Sequence, residues 1–166
     1  FPELAELMGN LMGDGCIGDT ATWRFFGADI EYGQKLRDLA VQFAPELLKK
    51  KEIMEIHPPN EKYQVRQASF NSTVLARLFQ EEFGLSKKPR RVPGRLWVAD
   101  EETVAAFLRG LYAADGHVEE VGVVLAQNDL EFLREIQQLL SNFVLVSRIY
   151  KHGNAISKSI QYANGD

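Results

Sequence analysis

Cysteine is all but missing: Cys16 is the single thiol in 166 residues. One thiol can neither close an intrachain disulfide nor build a thiolate metal site. Its isolation fits a reducing compartment, so a cytoplasmic location is expected, with Cys16 itself a small buried residue. Long apolar runs are missing too. Nothing approaches the ~20 residues of a membrane span, and no basic-then-apolar leader follows Phe1, so no membrane partner is expected. Histidine is scarce; His57, His117 and His152 share no ligand spacing and read as surface or turn residues. Positive charge is also short, with 19 Lys and Arg against 23 Asp and Glu and a net charge of −4. Phosphate binding favours the opposite balance. The shortage is local, however: residues 49–95 carry a net +6, between −5 over residues 1–48 and −7 over residues 96–147. A polyanion can dock on such a chain if the fold gathers the basic stretch on one face. Hydrophobic residues at 45% and charged residues at 25% suffice for a globular core.

What is present is a repeat. Residues 7–15 read Leu-Met-Gly-Asn-Leu-Met-Gly-Asp-Gly and residues 108–116 read Leu-Arg-Gly-Leu-Tyr-Ala-Ala-Asp-Gly, a gap-free offset of 101 that extends back to Ala5 and Ala106. Each copy leads into a short strand-like stretch and then an amphipathic helix. Leu36, Leu39, Ala40 and Phe43 share one face in the first, and Phe132, Leu133, Ile136, Leu140 and Phe143 in the second, at helical spacing. Paired strands follow, over 51–57 and 62–70 around Pro58-Pro59-Asn60, and over 145–151 and 156–163 around His152-Gly153-Asn154. A helix over 72–83, capped by Asn71 or Ser72, closes the first half. The expected organisation is therefore a first half over 1–83, a basic linker over 84–100 containing Pro89 and Pro93, and a second half over 101–166. That second half is cut short before its closing helix.

The repeated segment has a chemistry of its own. Helix 3–13 starts well with Pro2 and Glu3, and carries Leu4, Leu7, Met8 and Leu11 on an apolar face, with Ala5, Gly9 and Gly13 as a stripe of small residues. Helix 101–114, capped by Asp100, repeats the plan with Val104, Phe107, Leu108 and Leu111, and with Ala106, Gly110 and Ala114 as its small stripe. Gly inside a helix costs ~1 kcal/mol relative to Ala; small residues four apart compensate by letting two backbones approach. The two helices are expected to pack stripe on stripe about a pseudo-twofold. Asp14 and Asp115 then fall at the helix C-termini, where the macrodipole opposes a carboxylate by ~0.3–1 kcal/mol. Gly15 and Gly116 follow as terminators able to adopt positive φ. Two like charges meeting at two negative helix ends favour a divalent cation, with the carbonyls of Gly13 and Ala114 as further oxygen donors. Gly13-Asp14-Gly15-Cys16-Ile17-Gly18 also fits a dinucleotide-binding pattern, but that pattern needs a preceding strand, and here a helix precedes.

Both nine-residue segments resemble the LAGLIDADG (dodecapeptide) motif of homing endonucleases, particularly those embedded in inteins. Leu85 to Pro93, reading Leu-Ser-Lys-Lys-Pro-Arg-Arg-Val-Pro, resembles the basic Lys-x-Ile-Pro stretch that precedes the second motif in that family; Ser147-Arg148-Ile149-Tyr150 resembles the region after it. The resemblance implies an α+β fold of two αββαββ(α) halves related by a pseudo-twofold within one monomer, with antiparallel sheets forming a saddle over double-stranded DNA. It implies that Asp14 and Asp115 bind Mg²⁺ for phosphodiester hydrolysis. The family's catalytic lysine falls on Arg90, which can stabilise phosphoryl charge but hardly deprotonates. DNA contacts are expected from Arg24, from Lys62, Gln64, Arg66 and Gln67 in the first hairpin, from Lys87, Lys88 and Arg91 in the linker, and from Lys151 and Lys158 in the second hairpin. Residues 16–31 offer only Arg24 as a base, and residues 117–127 offer none. No splicing block is visible, so an intein origin would make this the endonuclease insertion alone, carried by a host protein. Two other readings stay open: a domain that kept the fold and lost cleavage, and an RNA maturase.

Overall fold

The computed structural model describes residues 1–49, 55–57, 66–86, 88–120, 122–151 and 158–162. The chain runs α1 (Pro2–Gly13), β1 (Cys16–Ile17), β2 (Ala21–Phe26), α2 (Ile30–Phe43), β3 (Glu55–His57), β4 (Gln67–Ser72), α3 (Thr73–Phe83), α4 (Glu101–Asp115), β5 (Gly116–Glu119), β6 (Gly122–Gln127), α5 (Leu130–Ser141), β7 (Ser147–Lys151) and β8 (Lys158–Tyr162). The strands form two antiparallel four-stranded sheets with the same order, β1-β2-β4-β3 and β5-β6-β8-β7. This is the expected α+β architecture of two αββαββ units. Among the described residues no helix is long and apolar enough to cross a membrane.

Helices α1 and α4 pack on each other through the small stripes. A Cβ added to Gly9 would overlap the Phe107 carbonyl oxygen, and one added to Gly110 would overlap that of Glu6. These are dyad-related contacts, since 9 and 110, and 6 and 107, both differ by 101. Backbone meets backbone at both places, which only a missing side chain allows. Caps define where the helices begin. The Asp100 carboxylate accepts from Thr103 N at 2.7 Å to open α4, and Ser72, rather than Asn71, caps α3 by accepting from Leu75 N at 3.1 Å.

Alternation along the strands decides what faces the helices. In β2, Ala21, Trp23 and Phe25 are buried while Arg24 and Phe26 are exposed. Trp23 stacks on Phe70 of β4, with ring centroids 4.8 Å apart, and its indole N–H donates to the Leu7 carbonyl of α1 at 3.0 Å. Buried faces of α2 and α5 complete the two sub-cores, Leu36 with Ala40 in one, and Phe132, Leu133, Ile136 and Leu140 in the other. Strand register also shows a break in the repeat. Cys16 pairs with Thr22, whereas His117 pairs with Val124, so the offset grows from 101 to 102 after β5. Leu125 and Gln127 of β6 therefore stand where Trp23 and Phe25 stand in β2.

Two expectations are corrected. Gly116 has φ −90° and Gly15 is not among the positive-φ residues, which among the described residues are Gly27, Gly84, Gly122 and Val144. Both motif glycines are needed for close approach instead: the chain leaves each helix so sharply that a Cβ would run into the carbonyl of Leu11 or Tyr112 in the last turn. Cys16 is half-buried rather than buried, because β1 lies at the edge of its sheet.

Candidate metal centre

The parallel packing of α1 and α4 brings their C-terminal ends together, and with them Asp14 and Asp115. The two carboxyl groups are close enough for each to affect the other's ionisation. Burial and the charge of Asp14 push the Asp115 pKa up to about 6, against the weaker opposing pull of Arg90 and Gln127. Asp14 is also raised, by burial first and then by Asp29. Two carboxyl groups at two negative helix ends resist ionising together, and both are raised.

Two further side chains close the site. The Arg90 guanidinium donates from Nη1 to Gln127 Oε1 at 2.7 Å and from Nη2 to the Gly13 carbonyl at 3.2 Å. Nη1 also lies 3.9 Å from Asp115 Oδ2. Gln127, 5% exposed, donates through Nε2 to the same Asp115 Oδ2. A cavity of about 360 Å³ opens here, lined by Asp14, Arg90, Asp115, Gln127 and Asn128. Among the described residues no cluster of three or more His, Cys, Asp or Glu side chains could hold a metal. The donor set is thus two carboxylates plus backbone oxygen, leaving further positions for water or phosphate. That suits Mg²⁺, which usually keeps several waters and takes one or two protein carboxylates.

The fold matches known proteins. The LAGLIDADG-like domain family model matches residues 102–164. The solved structure of the homing endonuclease I-DmoI in complex with DNA and Mn superposes with a TM-score of 0.67, at 16% identity, over 98% of this chain and 89% of that one. The chain has the LAGLIDADG fold. Curated relatives of this LAGLIDADG chain include a DNA polymerase of Thermococcus litoralis, 30% identical over 81% of the chain. Another is the ribonucleoside-diphosphate reductase NrdEB subunit alpha of Bacillus subtilis (strain 168), 29% identical over 91% of the chain. The chain spans only 8% of the polymerase and 15% of the reductase.

The remaining residues singled out in the LAGLIDADG sequence separate into groups. Arg24 is exposed on the outer face of the first sheet, opposite Ser69. Gln67 opens β4 opposite Phe26, and Arg66 is exposed just before it. Lys88 is exposed and lines a larger cavity of about 750 Å³ that adjoins the paired aspartates through Arg90 and Gln127. Arg91 faces Asp129 at 3.3 Å and Glu135 at 3.8 Å. Ala114 is half-buried, its methyl against Gly13. Lys151 and Lys158 are paired in register, and Lys158 also pairs with Gln127. Lys62, Gln64 and Lys87 lie outside the described residues, as do His152 and both hairpin turns. His117 is exposed beside Glu119.

Sequence reasoning missed Gln127 and Arg148. Gln127 ends the otherwise apolar run Gly-Val-Val-Leu-Ala-Gln on the buried side, and an amide at a core position is a signal in itself. Arg148 is exposed, and its register with Gln161, itself opposite Val124, puts it on the outer face of the second sheet.

Proposed function

We propose that this chain is a site-specific endonuclease of double-stranded DNA that hydrolyses phosphodiesters with Mg²⁺ held by Asp14 and Asp115. The observation that carries it is the pair of carboxylates brought together at the packed ends of α1 and α4. Asp14 and Asp115 would hold the ion, with helix-end carbonyls completing the set. A divalent ion supplies an activated water and charge on the leaving oxygen when bound. Gln127 fixes one oxygen of Asp115. Arg90 places a permanent positive charge beside the cavity, suited to a phosphoryl oxygen and not to accepting a proton. The solved relative I-DmoI was crystallised with DNA and with Mn, which supports both parts of the reading.

A stretch shared by a polymerase and a reductase, at a small fraction of each, belongs to neither activity. It reads as an insertion within a host chain, as an intein endonuclease would be. The test is incubation with a randomised duplex library and Mg²⁺. Cleaved products are expected from the wild type and none from D14N. Equal cleavage by D14N would remove these carboxylates from the chemistry. Duplex binding without cleavage by the wild type would identify a domain that kept only the fold, a reading that Arg90 at the lysine position favours. Preference for structured RNA over duplex would point to maturase activity.

A further inference from the structure

The two halves share a fold but not a charge pattern. A twofold between α1 and α4 generates two cation positions: Asp14 with the end of α4, and Asp115 with the end of α1. The second is already filled. Arg90 reaches the Gly13 carbonyl at 3.2 Å and lies 3.9 Å from Asp115 Oδ2, so its guanidinium spans the donors that an ion would use. Gln127 takes the same carboxylate oxygen. At the corresponding strand position of the first half stands Phe25, which has no polar atom to offer Asp14 and is buried in the core.

The helices that follow repeat the asymmetry. Asp29 and Asp129 precede α2 and α5 at equivalent places. Asp129 caps α5, accepting from Glu131 N at 3.0 Å and Phe132 N at 3.2 Å, and faces Arg91 at 3.3 Å. Asp29 makes no side-chain capping bond and is exposed. Its charge is felt by Asp14. The linker therefore pairs both of its adjacent arginines with acids of the second half.

We infer that Arg90 occupies one of the two dyad-related cation positions, so that Asp14 and Asp115 together take a single divalent ion, held toward the Asp14 side. This rests on the metal reading above and deepens it: Arg90 is a built-in substitute for a second ion, and the two strands of a bound duplex meet chemically different half-sites.

The test counts ions. The purified full chain is titrated with Mn²⁺ alone at neutral pH, and free Mn²⁺ is followed by electron paramagnetic resonance. One ion per chain is expected for the wild type and for R90K, which keeps the charge. Two are expected for R90M, whose circular dichroism is checked against wild type. D14N should weaken the single site about tenfold or more. Two ions in the wild type, or one in a folded R90M, overturns the inference while leaving the metal reading intact. No ion in any variant overturns the metal reading itself.

Discussion

Asp115 is the acid whose environment is most perturbed, and its pKa near 6 has a measurable consequence. Raised above the ordinary value of 3.8, it means the folded chain holds a proton that the unfolded chain releases. The associated stabilisation is present in full below the unfolded value and is lost as pH rises through about 6. Without metal, the chain should be more stable near pH 5 than near pH 7 by about 1 kcal/mol. D115N should flatten that dependence, in thermal melts recorded with a chelator across the window. A wild-type curve parallel to that of D115N would show the carboxylates to be uncoupled. A second buried acid acts purely in assembly. Glu6, 8% exposed, accepts from Tyr32 Oη at 2.8 Å and from Arg109 at 2.6 Å, joining α1 to α2 and α4. Burial and this hydrogen bond hold the Tyr32 hydroxyl protonated, its pKa pushed far up. Glu6→Ala is expected to cost about 1–3 kcal/mol by urea denaturation, since it strands a buried donor. A loss within error would mean that water replaces the carboxylate.

The helix pair and the linker decide how the acids meet. Gly9→Ala and Gly110→Ala each place a methyl where the other helix presents a carbonyl, so each should cost about 1–3 kcal/mol. Because both residues sit in one interface, the double variant should depart from additivity, read from denaturation midpoints of the four-member cycle. Additive behaviour would mean that the helices relax independently. These glycines were legible as a stripe because helical spacing maps position onto face, and so were Asp100, Leu36 and the paired aspartates. The positive φ expected at Gly15 and Gly116 was not found, because a glycine required for proximity looks the same in sequence as one required for its dihedral. Residues 84–100 read as a basic linker, yet Leu85, Val92 and Leu96 are buried, and Glu135 accepts from Val92 N at 2.7 Å. That anchoring is what aims Arg90 and Arg91.

Across the whole molecule, a net charge of −4 means that duplex binding must come from a few well-placed bases rather than a general field. Arg24 and Arg148 are exposed on the outer faces of the two sheets. Replacing either by Ala should weaken duplex affinity and reduce the slope of log K against log salt by about one, as followed by fluorescence anisotropy. An unchanged slope for both would place the duplex on another surface. The amino-acid sequence by itself determined the repeat, the small stripes, the two acids and the helix faces. Each of these is a matter of spacing along one helix or of a residue type whose cost at that place demands compensation. Tertiary structure alone decided that Asp14 and Asp115 meet, that Gln127 bonds to Asp115 across 12 residues, and that Arg90 answers the Gly13 carbonyl across 77. It also decided that one extra residue in a turn shifts the second half's strand register. Contacts of that range depend on how elements dock, and docking is set by the summed packing of the core, which no local pattern encodes.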